Sequence, residues 1–470
     1  MNGAKIINKN EGAKIDYEII GNKIIFNDEL MLNLAKYERD DPMHIDICMD
    51  EFGCLCMGLA NKYVAQIDIS AREYQYVEDG VDEEGHTKFN KVAVPFDIKK
   101  VDITLWGGRR IMETNFDAIK LAVEAATGGK NTVLFDDLGN PSIMVRIPKF
   151  KISDVIEGGS NSVHPAFIVN GVEKDEIYIS KYQNIVVNDR AYSLPMQDPK
   201  VYIDFDTARK ACENKGKGWH LMTNAEWAAI ALWCKKNGYF PRGNNNYGSD
   251  VSYPHEKGVE TYKYDGKTGR VGTGSGPVTW AHDGSNSGIF DLNGNVWEWV
   301  GGLRLVDGEI QVIADNNAAC DANMAENSSH WKAIDKSGNL VAPKSANTLK
   351  FDYTVDPGTE NTSKGMPKLV TTLAHQQTNG DPYAAGQFED MTADGSITPP
   401  EILKALAIYP DGTKANHGDY IYMRNKGERL PFRGGFWADG SYAGVFAVYL
   451  VDPRSFSNHN AGFRSAFVGL

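Results

Sequence analysis

Short β-branched and aromatic runs broken by turn residues dominate the first third of the chain. "KIIFN" (23–27), "YVAQIDIS" (63–70), "VAVPFDI" (92–98) and "VDITLW" (101–106) each predict a strand. The acidic stretch "VEDGVDEEGH" (77–86) predicts a solvated loop. "NFDAIKLAVEAA" (115–126) has apolar positions at helical spacing and residues of good helix propensity. Residues 1–150 therefore predict a mainly β region, with no pattern in it that carries chemistry.

The pattern changes near Pro148, and a second region, 151–470, is expected from there. "DEIYISKYQNIVV" (175–187) predicts a strand. Asp204 or Asp206 can cap a helix that ends at Gly216. Thr223 and Glu226 stand at capping-box spacing, each side chain able to satisfy an orphan N–H at the start of a second helix. In that helix Trp227, Ile230, Ala231 and Cys234 share one apolar face, and Gly238 suits the position just past its end. The Gly/Asn/Ser-rich span 241–288 predicts irregular structure. Residues 306–430 lack periodicity and predict a long polar insertion, with one short helix in "PPEILKALAIY" (399–409).

Composition narrows the function. The chain has 470 residues, a net charge of −13 and no clustered Lys/Arg stripe, which argues against nucleic acid as a partner. The N-terminus has no apolar core of a signal peptide, and no run approaches the ~20 apolar residues of a membrane span. Synthesis in a bacterial cytoplasm and no membrane insertion are the expectations. Cys48, Cys54, Cys56, Cys212, Cys234 and Cys320 form no CxxC pair and no zinc spacing with histidine, and are expected to be buried free thiols.

"GIFDLNGNVWEWVGG" (288–302) is the first stretch with a specific signature. Strand alternation puts Trp297 and Trp299 on one face and Glu298 on the other, with Gly294 permitting the turn before them. Arg433 and Arg464 are the expected ion-pair partners of such buried acids. Together with "LMTNAEWAAIA" (221–231) and the closing "RGGFW" and "GFRSAF", this stretch resembles the signatures of formylglycine-generating-enzyme-like domains, a branch of the C-type lectin fold. The resemblance implies an α+β, loop-rich C-terminal domain preceded by the β region.

The closing block, Arg433 to Phe467, alternates fixed-looking residues with positions of no common chemistry. It resembles the variable region of diversity-generating retroelement proteins, which share the lectin-like fold. In that family a reverse transcriptase copies a template repeat and substitutes its adenines, so that AAY codons become many others. Both adenines randomised, AAY yields Phe, Ala, Asp, Tyr, Val and His, and never Lys, Glu, Gln, Met or Trp. The residues found at Phe436, Ala438, Asp439, Tyr442, Tyr449, Val451, Asp452, Phe456 and His459 obey that limit, and Asn458 and Asn460 match unaltered template. These eleven positions are the expected ligand contacts. Trp437, which needs TGG, belongs to the expected frame with Trp297, Glu298, Trp299, Arg433, Phe463 and Arg464.

The resemblance implies a non-enzymatic protein that binds a variable ligand, a bacterial surface protein or glycan, and sits on a phage or prophage tail. A bacterial surface-displayed protein is the sibling reading, and the N-terminal region would serve virion attachment or self-association. An oxidase of the formylglycine-generating type is the alternative, but its copper-binding cysteine pair has no counterpart, since no cysteine follows Cys320. A calcium-dependent carbohydrate lectin is the other. "DMTADGSITPPE" (390–401) has EF-hand spacing, yet Thr398 to Glu401 also reads as a capping box. Asp291, Asn293 and Asn295 begin like a calcium loop but lack its glycine and closing Glu. No metal and no cofactor are therefore expected.

Overall fold

A computed structural model describes residues 3–9, 14–49, 55–58, 62–81, 84, 86–107, 112–320, 322–355, 365–378, 380, 382–415 and 417–470. The chain divides into two units, 1–119 and 120–470. In the first, strands Lys5–Asn8, Val101–Leu105, Lys62–Ile69, Met43–Met49 and Leu55–Met57 lie side by side in that order, and Tyr17–Ile20, Lys23–Phe26 and Leu30–Asn33 form a second sheet. Alternate residues of these strands point inward, so Ile24, Phe26, Ile45, Ile47, Ile67 and Ile103 make one core. The expected loop at 77–86 is in part a strand. Tyr74–Val81 pairs with Thr87–Ala93, and this hairpin is exposed along nearly its whole length. Residues 82, 83 and 85 of that stretch lie outside the described residues, as does Cys54.

The second unit begins earlier than the expected boundary at 150. Strand Pro141–Pro148 pairs on one side with Asn131–Phe135 and on the other with Glu176–Ser180, which in turn pairs with Ser465–Phe467 next to the C-terminus. The predicted strand 175–187 is interrupted at 181–184. There the buried side chains of Lys181, Gln183 and Asn184 turn to partners elsewhere, and the chain resumes as Ile185–Val187. Helix Phe205–Glu213 is capped by Asp204, whose carboxylate accepts from the Thr207 N–H at 2.9 Å. Helix Asn224–Lys236 carries both halves of the Thr223/Glu226 box, with Gly238 at φ +64° just beyond its end. The expected single apolar face understates this helix, because every residue from Asn224 to Leu232 is buried. Glu226 survives there by accepting from Thr223 N, from the His220 ring and from Asn316.

The described residues of 306–430 contribute strands to two sheets of the domain. Leu303–Val306, Glu309–Ile313, Trp331–Ile334, Leu340–Val341, Lys350–Tyr353, Pro367–Val370, Thr392–Ala393 and Glu428–Arg429 form a sheet around buried Trp331, Phe351 and Leu369. Two further strands from it, Ala384–Gln387 and Tyr420–Met423, join the sheet that carries the closing block. That sheet runs Ala384–Gln387, Tyr420–Met423, Gly444–Leu450, Phe432–Gly434, Trp297–Trp299 and Ala461–Phe463. Its strands are short and its neighbours distant in sequence, which is why the period-2 signal was weak across this span. The 399–409 segment gives a five-residue helix, Glu401–Ala405, capped by Pro400 without a side-chain bond. The capping box is absent because Glu401 accepts instead from Ser160 N at 2.7 Å and Ser160 Oγ at 2.6 Å.

Trp297 and Trp299 share one face of their strand with Glu298 on the other, and one of the two arginines expected to pair with buried acids does so. Arg464 lies against Glu298, Nε to Oε2 at 2.5 Å and Nη2 to Oε1 at 2.6 Å, both side chains sealed from solvent. Arg433 makes no such ion pair among the described residues. It donates to Asn224 Oδ1 at 2.7 and 3.1 Å and to the Ala407 carbonyl at 2.9 Å, and burial without an anion pulls its pKa down to about 9. Gly294 sits at φ +80°, where a Cβ would lie 2.1 Å from the Asn244 carbonyl oxygen. Gly435, at φ +90°, would put one 2.4 Å from the Ala443 Cβ. Both positions admit glycine alone.

Of the cysteines, Cys48, Cys212 and Cys234 are buried, and burial raises the Cys212 and Cys234 thiols far above the ordinary range. Cys56 and Cys320 are only half-buried, contrary to expectation. Among the described residues, no helix is long and apolar enough to cross a membrane.

Candidate functional site

The register of the closing sheet builds a row of rings. Trp299 pairs with Phe432, Phe432 with Tyr449, and Tyr449 with Tyr422, so four aromatic side chains on four adjacent strands emerge on one face. Trp297, two residues from Trp299, shares that face and lies 5.5 Å from Tyr449 and 6.2 Å from Tyr422 between ring centroids. Tyr383, just before Ala384–Gln387, closes the row at 5.6 Å from Tyr422.

Two connections rise beside this floor. The first, 435–443, joins Phe432–Gly434 to Gly444–Leu450 and contributes Phe436, Ala438, Asp439 and Tyr442. The second, 451–460, leads into Ala461–Phe463 and contributes Asp452, Phe456 and Asn460. Together with Tyr449 they enclose a cleft of about 390 Å³, whose floor is Trp297, Tyr383, Tyr422, Phe432 and Ala461. Clefts of this size, largely aromatic with a few polar groups, suit small groups or single side chains of a larger partner.

The expected contacts are thus largely brought together, but not all. Val451 is 2% exposed and packs in the core with Phe463 and Ala447. The strand alternation that turns Tyr449 outward turns its neighbour Leu450 inward, and the chain leaves the strand with Val451 still covered. Asn458 and His459 lie off the cleft. His459 stacks on Tyr264 at 5.0 Å with its ring nearly parallel, and faces Trp437 at 5.3 Å, while its backbone N–H donates to Asn458 Oδ1. Tyr442 is the most open of the expected contacts, 45% exposed, and its ring meets Tyr420 at 3.9 Å.

The expected frame residues Trp437, Phe463, Trp299 and Arg464 are buried, as are Val445 and Phe446. Trp297 plays both parts, buried at its base yet forming cleft floor. Tyr383, Tyr422 and Phe432 were not anticipated. Tyr420 and Tyr422 stand two apart in "DYIYMR", an alternation that marks one face of a strand. Tyr383 has no such signal.

Electrostatics in the cleft are set by two carboxyls. Burial raises Asp439 to about 7, opposed by the Phe436 N–H, which donates to its Oδ2 at 2.9 Å. Burial raises Asp452 to about 6, opposed by the nearby guanidinium groups of Arg424 and Arg429. Tyr422 and Tyr449 are pushed well above the ordinary phenol value, by burial first and then by neighbouring acids and tyrosines.

Neither calcium-like stretch gathers its oxygens. Glu401 is engaged with Ser160, and Asp390 pairs with Lys414. Asp291 Oδ2 accepts from Gly274 N, Asn293 donates to the Pro241 carbonyl, and Asn295 Oδ1 accepts from Val271 N. Burial raises Asp291 to about 6. Among the described residues, no group of three or more His, Cys, Asp or Glu side chains is placed to hold a metal ion.

Comparison with known proteins places the domain. The model of the FGE-sulfatase family, described as a sulfatase-modifying factor enzyme 1-like domain, matches residues 73–330. No curated protein matches the chain in sequence. Among solved structures, PvdO from Pseudomonas aeruginosa is 15% identical, with 72% of this chain and 97% of that chain covered and a TM-score of 0.28. The Major Tropism Determinant U1 variant is 11% identical over 91% of this chain and 72% of that one, TM-score 0.27. Treponema denticola variable protein 1 is 12% identical over 72% and 98%, TM-score 0.24. The matched span contains the "LMTNAEWAAIA" and "GIFDLNGNVWEWVGG" signatures, the domain has the C-type lectin-like fold they imply, and the chain belongs to the FGE-sulfatase family.

Proposed function

We propose that this protein binds a ligand through the aromatic cleft without catalysing a reaction, and that retroelement copying diversifies the residues lining it. The observation that carries the reading is convergence. Phe436, Ala438, Asp439, Tyr442, Tyr449, Asp452, Phe456 and Asn460, all reachable from an AAY codon, line one cleft, while interleaved Trp437, Val445 and Phe446 are buried beneath them. A chance assortment of positions along a strand and two loops would have no reason to split so. Side chains that face a cleft from a fixed backbone change at less cost than the core beneath them, as in antibody loops. Asn458, His459 and Val451 would be positions copied from the template that make no contact in the cleft.

The absence of cysteine after Cys320 supports a binding role over the oxidase chemistry of family members. The particle is a phage or prophage tail in this reading, with residues 1–119 as the attachment region and a surface protein or glycan of a bacterium as the ligand. Sequencing the DNA beside the gene tests the mechanism. A reverse-transcriptase gene and a near-identical repeat are expected, with every mismatch at a template adenine. Mismatches spread over all four bases would rule the mechanism out.

A further inference from the structure

Resting on that reading of the cleft, we infer that this copy of the site receives a basic side chain, an arginine or lysine displayed by the ligand, held between the tyrosine faces and the Asp439 carboxylate. The lining residues contain two acids and no base. Around them stand Trp297, Tyr383, Tyr422, Phe436, Tyr449 and Phe456, rings whose negative faces attract a desolvated cation more strongly than an exposed one. The two acids are not equivalent. Asp452 already faces Arg424 and Arg429, so its charge is answered within the protein. Asp439 is acted on by burial and by a single backbone N–H, with the phenols of Tyr422 and Tyr449 in its field. An anion so placed gains most from a cation brought by the partner. Asn460, also in the lining, adds a neutral polar residue and no competing positive charge. A net charge of −13 adds long-range attraction for a basic epitope.

Because Asp439 titrates near neutrality, a bound cation must compete with its proton, and affinity should rise as pH increases from 6 to 8. The probes are ethylguanidinium, ethylammonium and the neutral isostere ethylurea, titrated calorimetrically into the full chain. At pH 8 one of the two cations is expected to bind about tenfold or more tighter than ethylurea, and which one does so separates arginine from lysine as the source. Asp439→Asn should abolish that preference, and lowering the pH to 6 in the unaltered chain should reduce it, so the outcome does not hang on one variant. Equal binding of ethylurea would overturn the inference while leaving a diversified, shape-reading cleft in place. No binding of either cation at about 50 mM would overturn it too. The reading of the cleft as a diversified site stands or falls separately, on the adenine mismatches.

Discussion

Replacing Glu298 with glutamine tests whether the frame rests on a buried charge pair. The carboxylate meets Arg464 at 2.5 and 2.6 Å and also accepts from Gln183 Nε2 at 3.0 Å, all away from water. Glutamine keeps the shape and one acceptor but leaves the guanidinium charge without its anion. Beside that one acceptor, Arg464 would retain neutral carbonyls alone, those of Ser180 and Phe290 at 3.1 Å and of Asp291 at 3.5 Å. Removing one partner of a buried pair costs about 3–5 kcal/mol, and the retained amide oxygen places this variant near 3. At about 2–4 °C per kcal/mol, Tm should fall by about 6–12 °C. Thermal and urea melts of the full chain followed by tryptophan fluorescence read this directly, since Trp297 and Trp299 flank the substituted residue. A loss under about 1 kcal/mol would refute the reasoning. It would mean that carbonyl oxygens suffice for Arg464, as Asn224 and Ala407 already do for Arg433.

Three further outcomes follow from the same geometry. Asp439 has a folded pKa near 7, above the 3.8 of an unperturbed side chain, so the folded state holds a proton that the unfolded state releases between those values and stability falls as pH rises through that window. Asp439→Asn should therefore stabilise the chain at pH 8, by about 1–3 kcal/mol after allowing for partial solvent access, and change little at pH 4, as denaturant melts at the two pH values would show. Trp437→Ala removes a side chain with no exposed surface and should cost about 3–5 kcal/mol, whereas Tyr442→Ala should cost under about 1, measured by the same melts. Excess calcium or chelator should move Tm by less than about 1 °C, because Glu401 and Asp390 are already engaged with Ser160 and Lys414.

Local signals in the sequence held where one element determines its own geometry. The Thr223/Glu226 box, the Asp204 cap and the Trp297–Glu298–Trp299 alternation are settled within a few residues, and each stands as expected. Long-range partners are legible only in part: Arg464 meets Glu298 as the signature implies, and Arg433 meets no acid among the described residues. Nothing near Arg433 tells that Asn224, on a helix far back in the chain, would take its guanidinium in place of a carboxylate. Likewise Glu401 sits where a capping box would form, but Ser160, remote in sequence, offers two donors and wins. The stretch 306–430 looked featureless because its strands are two to five residues long, too short for alternation to register. The cleft was legible in its walls and hidden in its floor. Codon reach marked Phe436, Asp439 and Tyr449, while Tyr383 and Phe432 join them only through sheet register. Val451 shows the limit of that method, since codon reach says what can be written at a position and not whether the side chain meets solvent.

The claim at the centre of this account is that exchangeable residues are mounted on an unchanging frame. A saturation library over residues 433–467, displayed on cells and sorted for protease resistance, measures it position by position. Phe436, Ala438, Asp439, Tyr442, Asp452 and Phe456 should accept nearly all residue types and remain folded, while Trp437, Val445, Phe446, Phe463 and Arg464 accept almost none, with Val451 siding with the second group. Equal intolerance in the two groups would contradict the account, because the cleft residues would then be core.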